Sequence, residues 1–226
     1  MTGSSHIIAI DGPSGSGKST TARLVAQKLG FIFLDTGAMY RSVTLLALEK
    51  GIRPDDSQML GRLAESLNIH FEDDGRSQRV FINGRDITNE IRDSRITSAV
   101  SEISAHPEVR KHMVALQKEI GRRNNIVAEG RDMTSVVFPD ATLKVYLDAD
   151  IEERARRRML DYKGMGKETT LEEQIRDLRV RDGYDSRRKI SPLTRTSDSI
   201  QVDTTNLTIE DQVNRIVELF KERVSR

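Results

Sequence analysis

The sequence predicts an α/β protein with a five-stranded parallel sheet flanked by helices and a small inserted antiparallel subdomain. Two observations carry this prediction. Short apolar runs alternate with amphipathic helical patterns, which is typical of a parallel sheet covered on both faces. A segment with two hairpin signals interrupts that alternation, and an antiparallel patch within a parallel protein is most simply an insertion.

Five apolar runs are the predicted strands of the parallel sheet: Ile7–Ile10, Phe31–Leu34, Ile126–Ala128, Leu143–Leu147 and Ile200–Val202. Three sets of apolar residues at helical spacing predict helices: Ala22, Val25, Ala26 and Leu29 before Gly30; Val109, Met113, Leu116 and Ile120 between Pro107 and Gly121; and Val213, Ile216, Val217, Phe220 and Val224. Glycine after the last apolar residue is a common helix end.

The insertion is predicted from the segment Asn68–Ile87, which contains Asp74-Gly75 and Asn83-Gly84. Asp-Gly and Asn-Gly are strong signals for two-residue hairpin turns. A second irregular stretch, Leu160–Thr170, has two glycines and two lysines between charged helical patterns. We interpret it as a mobile loop.

The composition excludes several classes of protein. The 226 residues are 36% hydrophobic and 31% charged, with a formal net charge of +1, so nothing in the bulk charge predicts a nucleic-acid or membrane partner. The N-terminus lacks the pattern of a signal peptide, and no apolar run approaches the ~20 residues of a membrane span. There is no cysteine, so disulfides and cysteine zinc sites are excluded and a cytoplasmic protein is predicted.

The loop between the first strand and the first helix carries the clearest chemical signal. Gly12–Ser19, read as GPSGSGKS, fits G-x-x-x-x-G-K-[ST] in the required position after a strand and before a helix. Glycines let backbone N–H groups turn inward around an anion, and the helix N-terminus adds positive charge. Lys18 is expected to reach the β- and γ-phosphates, and Ser19 to ligate Mg²⁺. The loop therefore predicts nucleoside triphosphate binding, which kinases, ATPases and switches share.

A kinase also needs a cationic acceptor pocket, because phosphoryl transfer depends mainly on positioning and charge neutralisation. Candidate residues lie at strand ends and on helices: Arg41, Arg110, Arg131, Arg181, Asp185 and Arg188. The last three are spaced i, i+4, i+7, which places them on one helix face. Surface arginines also commonly pair with carboxylates and contribute little, so any one of these residues could instead be structural.

Six blocks of the chain, in this order, resemble bacterial cytidylate kinases: IDGPSGSGKST, LDTGAMYR, SAVSEISAHPEVR, EGRDMTSVVFPDA, LDADIEERARRRM and RDGYDSRRKISPL. The resemblance runs from about Ile7 to the C-terminal helix. It implies a P-loop kinase core forming a single nucleoside monophosphate kinase domain over residues 1–226, with a monophosphate-binding insertion at about 36–110 and a lid at about 156–170. It also implies transfer of the ATP γ-phosphoryl group to CMP or dCMP, with Mg²⁺ as cofactor.

The resemblance implies roles for individual residues. Catalytic roles fall to Lys18, Arg131 and Arg188. ATP binding falls to Gly12, Pro13, Ser14, Gly15, Ser16, Gly17, Lys18, Ser19, Thr20 and Arg157. The metal falls to Ser19 and, through water, Glu129. CMP binding falls to Thr36, Tyr40, Arg41, Ser101, Arg110, Arg131, Asp132, Arg181, Asp185 and Arg188. Of these, Arg41, Arg131 and Arg188 would hold the acceptor phosphate, since guanidinium forks suit bidentate contact.

Cytosine recognition follows from hydrogen-bond complementarity in that implied pocket. Asp132 can accept from the cytosine amino group, and Arg110, assisted by Ser101, can donate to its ring acceptors. Uracil reverses the donors and acceptors on this edge. Each mispaired buried group costs roughly 1–3 kcal/mol, so CMP is the favoured acceptor.

Four arginines lie in the segment RARRRM beside the implied lid: Arg154, Arg156, Arg157 and Arg158. The family blocks favour all but Arg156 as cations near the transferring group.

Three residues depart from the usual family pattern. Glu129 stands where aspartate is commoner, and its extra methylene could shift the metal. Thr134 replaces a frequent glycine, and Thr36 a frequent serine. No departure removes a charge that the chemistry needs.

Two other functions remain open on the sequence. The chain could be a UMP or AMP kinase on the same core, which Asp132 and Arg110 argue against, or an ATP-dependent switch, which would not need an arginine-lined acceptor pocket.

The four histidines His6, His70, His106 and His112 share no ligand spacing, so no structural zinc is predicted. The modest apolar content favours a monomer.

Overall fold

The computed structural model describes residues 5–73, 77–164 and 166–225. The chain divides into two compact units. The P-loop unit comprises Met1–Leu34 and Gly121–Arg226, and the inserted unit comprises Asp35–Ile120.

Within the described residues the strands are β1 (Ile7–Asp11), β2 (Ile32–Asp35), β3 (Ile69–Asp73), β4 (Gln78–Ile82), β5 (Arg85–Asp86), β6 (Ile126–Gly130), β7 (Leu143–Asp148) and β8 (Ile200–Asp203). The five-stranded parallel sheet has the order β2-β6-β1-β7-β8. All five predicted strands are confirmed, but each runs one or two residues further at its carboxyl end. Pairing between strands continues there, with Asp11 opposite Gly130 and Ile10 opposite Glu129, so polar residues that the apolar runs exclude still belong to the sheet.

The helices are α1 (Lys18–Leu29), α2 (Thr36–Glu49), α3 (Ser57–Glu65), α4 (Ser94–Ile103), α5 (Pro107–Arg123), α6 (Ile151–Gly164), α7 (Leu171–Arg187) and α8 (Ile209–Val224). The three helices predicted from spacing are α1, α5 and α8. The predicted end of α5 at Gly121 is wrong, since the helix continues to Arg123. A Cβ at Gly121 would lie 2.7 Å from the Phe138 ring, so this glycine permits close packing rather than ending the helix.

The core of the P-loop unit forms where α1 and α8 cover the sheet. Its buried apolar residues include Ile8, Ile10, Val25, Val127, Val145, Leu147, Val213 and Ile216. The inner strands β1 and β6 are buried along nearly their whole length, as expected for a parallel sheet with helices on both faces. None of the described helices is long and apolar enough to cross a membrane.

The inserted unit contains the antiparallel sheet that the hairpin signals predict, in the order β3-β4-β5. Asn83 and Gly84 form the β4–β5 turn with positive φ angles of 50° and 84°, the backbone that Asn-Gly favours in a two-residue hairpin. The other predicted turn, at Asp74-Gly75, lies outside the described residues.

The predicted loop Leu160–Thr170 is wrong over its first half. Helix α6 continues to Gly164, and Thr170 caps α7, its hydroxyl accepting from the Glu173 N–H. Between the two helices, residues 166–169 are not helical, while Met165 lies outside the described residues. Most of the predicted lid at about 156–170 is therefore helix.

Candidate active site

The backbone of the glycine-rich loop is shaped by its neighbours. A Cβ at Gly12 would lie 2.1 Å from the carbonyl oxygen of Leu147, so only glycine fits this approach to β7. Gly17 precedes α1 in the left-handed region, with φ of 88°, which costs glycine little. The loop therefore delivers the chain to a helix N-terminus at Lys18, where N–H groups and the helix dipole favour an anion.

Lys18 and Ser19 both face the carboxylate of Glu129 at the carboxyl end of β6. The Ser19 hydroxyl donates to Glu129 Oε1 at 2.7 Å, and Lys18 Nζ lies 3.8 Å from Glu129 Oε2. Lys18 Nζ also donates to the carbonyl oxygen of Pro13 at 3.2 Å. The longer side chain of Glu129 thus reaches the first turn of α1 directly.

The lysine stands in a crowded electrostatic environment. The pKa of Lys18 is lowered from 10.5 to about 7, chiefly by burial of its ammonium group and also by the positive charges of Arg131 and Arg181. The carboxylates of Glu129 and Asp185 act in the opposite direction. A bound polyphosphate would supply the negative charge that this cluster lacks and restore the ammonium form.

The donor set at Ser19 and Glu129 fits Mg²⁺. This ion prefers oxygen ligands and usually retains several waters. A hydroxyl and a carboxylate 2.7 Å apart, beside a loop shaped for phosphate, provide such ligands. Among the described residues no cluster of three or more His, Cys, Asp or Glu side chains could hold a metal by itself.

Asp11, the last residue of β1, holds the loop that follows β6. Its carboxylate accepts from the N–H groups of Met133 and Thr134 at 2.9 and 2.8 Å, and from the Thr134 hydroxyl at 2.7 Å. Burial nevertheless raises the pKa of Asp11 to about 6. This side chain connects the residue before Gly12 to the segment that carries Arg131 and Asp132.

The predicted acceptor residues of the P-loop unit pair with one another. Arg131 Nε donates to Asp185 Oδ2 at 2.9 Å, and Arg188 Nη2 lies 4.0 Å from Asp132 Oδ1. Burial opposes the charge of Arg131, but the carboxylates of Asp185 and Glu129 outweigh it and raise the pKa of Arg131. Two of the three predicted phosphate-binding arginines, Arg131 and Arg188, thus lie beside a carboxylate assigned to the sugar or the base.

The predicted placement of Arg188 on one helix face with Arg181 and Asp185 is wrong. Helix α7 ends at Arg187, and Arg188 follows as its C-cap with an extended backbone. The Arg188 side chain donates to the carbonyl oxygen of Ser191. Its position therefore depends on the segment after the helix.

The inserted unit holds the remaining predicted acceptor residues. Thr36 is the buried first residue of α2, and Ser101 lies on α4. The buried guanidinium of Arg110 stands over the Tyr40 ring, 5.5 Å from its centroid, a distance typical of a cation–π contact. Arg41 lies beside Gly37, where a Cβ would be 3.1 Å from Arg41 Nη1.

Three arginines of α6 reach the glycine-rich loop. Arg154 Nη1 donates to the Ser14 carbonyl oxygen at 3.0 Å, and Arg158 Nη1 donates to the Ser14 hydroxyl at 3.2 Å. Arg157 Nη1 donates to the Ser16 carbonyl oxygen at 3.3 Å. These donors hold the loop backbone from the side of α6.

Arg156 differs from these three arginines in its exposure and its partners. Arg156 is more than half exposed and pairs only loosely with Glu152 and Glu153, at 3.4 and 3.7 Å, as on a solvated helix face. Arg157 also bonds the hydroxyl and the carbonyl oxygen of Thr204, at 3.0 and 2.7 Å. It therefore links the loop to the turn after β8.

Sequence reasoning missed the residues that support the site, namely Asp11, Gln174, Asp182 and Thr204. The position of Asp11, directly before the motif and at a strand end, was a usable signal. The other three contact α6 arginines from distant parts of the chain, and no local pattern marks such partners.

Comparison with known proteins points to one family. A family model for cytidylate kinase matches residues 8–222. The cytidylate kinase of Geobacillus sp. (strain WCH70) is 42% identical over 96% of this chain and 97% of its own length. That of Carboxydothermus hydrogenoformans is 46% identical over 94% of this chain and 96% of its own. A bifunctional pantoate ligase/cytidylate kinase of Trichormus variabilis is 46% identical over 97% of this chain, which spans 42% of that longer protein.

Solved structures share the fold at low identity. An uncharacterized protein from Eubacterium ventriosum has a TM-score of 0.54 and 10% identity, covering 96% of this chain and 98% of that one. A protein from Thermus thermophilus has a TM-score of 0.50 and 20% identity, covering 98% of both chains. These similarities concern the fold alone.

The parallel sheet, the glycine-rich loop with Lys18 and the adjacent arginines define a P-loop phosphotransferase. Within that class, the family match over nearly the whole chain is decisive: the chain belongs to the cytidylate kinase family. The activity predicted from the sequence, phosphorylation of CMP or dCMP, is confirmed by this membership.

Proposed function

We propose that this kinase uses ATP with Mg²⁺ and that the residues predicted from the sequence divide between its donor and acceptor sites. One observation carries the assignment: Lys18 Nζ lies 3.8 Å from Glu129 Oε2, and the charges of Arg131 and Asp185, which are themselves paired at 2.9 Å, act on the pKa of Lys18. The lysine of the glycine-rich loop and residues assigned to the acceptor therefore belong to one charged cluster of the P-loop unit.

The donor triphosphate binds the backbone N–H groups of the glycine-rich loop, from Gly12 to Thr20, and the ammonium group of Lys18. The N-terminus of α1 contributes its positive end. Ser19 and, through a water, Glu129 would hold Mg²⁺, which would supply charge neutralisation on the phosphate oxygens.

The acceptor phosphate binds the guanidinium groups of Arg41, Arg131 and Arg188. Arg181 and Asp185 hold the sugar, with Asp185 accepting from a hydroxyl group. Asp185 already holds the Nε of Arg131. It therefore orients this arginine while one of its oxygens remains available to the sugar.

The base is read by two residues of opposite hydrogen-bonding character. We assign the cytosine amino group to Asp132 as acceptor, and the ring acceptors to Arg110 with Ser101. The Tyr40 ring, 5.5 Å from the Arg110 guanidinium, supports this assignment because the contact helps to hold that group in place.

No general base is required for the transfer. An oxygen of the CMP phosphate, ionised at neutral pH, forms the new bond to the γ-phosphorus as the bond to the β,γ-bridging oxygen breaks, and ADP leaves. Lys18, Arg131 and Arg188 compensate the charge that develops on the transferring group. We further propose that the protein is cytoplasmic, since its substrates belong to the intracellular nucleotide pool, and that it is a monomer, since its apolar content is modest.

The test is turnover of purified protein with ATP and Mg²⁺, with CMP, dCMP, UMP, AMP or no acceptor. We expect ADP to form fastest with CMP and dCMP and not without an acceptor. A profile led by UMP or AMP would refute the roles of Asp132 and Arg110. Equal slow loss of ATP in every reaction would instead favour an ATP-dependent switch.

A further inference from the structure

Arg154 is buried and shared among three partners. Its Nε donates to the Ala149 carbonyl oxygen at 2.9 Å, and its Nη1 donates to the Ser14 carbonyl oxygen at 3.0 Å and to Asp182 Oδ2 at 2.6 Å. The Arg154 side chain is 8% exposed and that of Asp182 22%. One guanidinium therefore joins the glycine-rich loop to α7.

The loop also packs directly on α6 at this residue. A Cβ at Gly15 would lie 3.0 Å from the carbonyl oxygen of Arg154 and 3.1 Å from its Cβ. Gly15 has a φ of 79°, which an L side chain rarely adopts. Backbone packing and the hydrogen bond to Ser14 leave little room for the loop to move without moving Arg154.

Asp182 lies between the residues assigned to the acceptor sugar. It follows Arg181 directly, and Asp185 is three residues further along α7. Its other oxygen, Oδ1, is buried and has no hydrogen-bond partner among the residues described. The hydrogen bond from Arg154 to Oδ2 thus holds this partly buried carboxylate, and its loss would change how α7 is held.

We propose that Asp182 is a positioning residue that couples the two substrate sites. Because Arg154 bonds both Asp182 and Ser14 of the glycine-rich loop, a shift of Ser14 when ATP binds also moves the turn of α7 that carries Arg181 and Asp185. ATP therefore tightens the binding of CMP. This inference rests on the proposed function, because Arg181 and Asp185 must contact the acceptor. Coupling between sites is reciprocal, so CMP increases the affinity for ATP by the same factor.

The experiment measures the dissociation constant of CMP by calorimetry, with and without a non-hydrolysable ATP analogue and Mg²⁺. The variant is Asp182→Asn, which keeps the size of the side chain and removes its charge. Asp177→Asn is the matched control, because Asp177 is an exposed carboxylate on the same helix. Asp182→Glu keeps the carboxylate and tests for rescue.

In the wild-type protein and the Asp177→Asn control, the analogue is expected to lower the dissociation constant of CMP by about fivefold or more. This factor is the lower range of typical coupling between sites. In Asp182→Asn this factor falls toward one, whether or not the affinity for CMP alone changes. Asp182→Glu recovers part of the factor. A merely structural role would weaken CMP equally with and without the analogue, and that result would overturn the proposal.

Two further outcomes separate this proposal from the function it depends on. If wild-type protein binds no CMP, the proposed acceptor site itself is wrong. If it binds CMP with the same affinity in both conditions, only the coupling is wrong. Should Asp182→Asn fail to fold, hydrogen exchange on the wild-type protein decides. The analogue alone should slow exchange across Arg181–Asp185, and unchanged exchange there would overturn the coupling.

Discussion

Asp11 shows how one buried carboxylate couples stability to pH. Burial raises its pKa from 3.8 to about 6 although three groups of Met133 and Thr134 donate to it. The native state therefore binds more protons than the unfolded state between about pH 4 and pH 6. In this window the contribution of Asp11 to stability falls as the pH rises, and above it the cost of the buried charge is fully present.

The substitution Thr134→Val tests this arrangement. It removes the hydroxyl donor to Asp11 and keeps the branched shape of the side chain. We expect the free energy of unfolding to fall by about 1–3 kcal/mol at pH 8, where Asp11 is charged. The loss should be smaller at pH 5, where the carboxyl group is largely protonated. Urea denaturation at the two pH values measures both.

Thr134→Ser is the control for that prediction, because it retains the hydroxyl donor. It should lose only the packing of one methyl group, with little dependence on pH. An equal loss for Thr134→Val at both pH values would show that the hydroxyl does not stabilise the charged form of Asp11.

Single residues were predictable from the sequence where a motif fixes their spacing. Lys18 and Ser19 follow from the glycine-rich pattern alone. Arg188 is predicted as a site residue on a helix, but its backbone is extended. The prediction is wrong because the helical spacing continues past Arg187, where α7 ends. Asp182 was not predicted, since its role depends on Arg154, which lies on another helix.

At the scale of secondary-structure elements, two helical glycines have opposite surroundings. Gly61 on α3 faces α5, where a Cβ would lie 2.6 Å from the Cβ of Glu108. Gly183 on α7 has nothing within 4 Å of such a Cβ. The first glycine therefore permits two helices to approach, and the second only weakens its own helix.

Alanine at these two positions should change stability in opposite directions. Gly61→Ala must displace α3 from α5, and we expect a net loss of about 1–2 kcal/mol after the gain in helix propensity. Gly183→Ala should add about 0.5–1 kcal/mol. Thermal and urea unfolding of both variants measures the difference. If Gly61→Ala were also stabilising, the close approach of the two helices would be wrong.

Elements were predicted well where burial is periodic and poorly where helices are polar. The strand cores follow from apolar runs, whereas their carboxyl ends carry Asp11, Glu129 and Asp148, which read as loop residues. Helix α6 was ended too early because its last turn contains Asp161, Lys163 and Gly164 without an apolar stripe. Its arginines bond to the glycine-rich loop, and such tertiary contacts are absent from local sequence.

At the scale of the whole molecule, the order of the motifs predicted the family before any contact was known. The insertion was predicted because its hairpin signals interrupt a regular alternation of strands and helices. The compact unit runs from Asp35 to Ile120, beyond the predicted end at about residue 110.

Ligand binding provides a whole-molecule test of base recognition that does not depend on turnover. A ligand that binds only the native state at 100 times its dissociation constant stabilises that state by about 2.7 kcal/mol. For a chain of this size this corresponds to a rise in Tm of about 5–10 °C. CMP at such a concentration should produce this shift.

UMP at the same concentration should raise the Tm by only about 2–3 °C if mispairing at Asp132 and Arg110 costs about 2 kcal/mol. The substitution Asp132→Asn introduces an amide donor that can face the uracil carbonyl, so the difference between CMP and UMP should shrink. Scanning fluorimetry on both proteins measures the four shifts. Equal shifts for CMP and UMP in the wild-type protein would mean that binding reads the sugar and phosphate alone, and that selection for cytosine, if present, arises only during phosphoryl transfer.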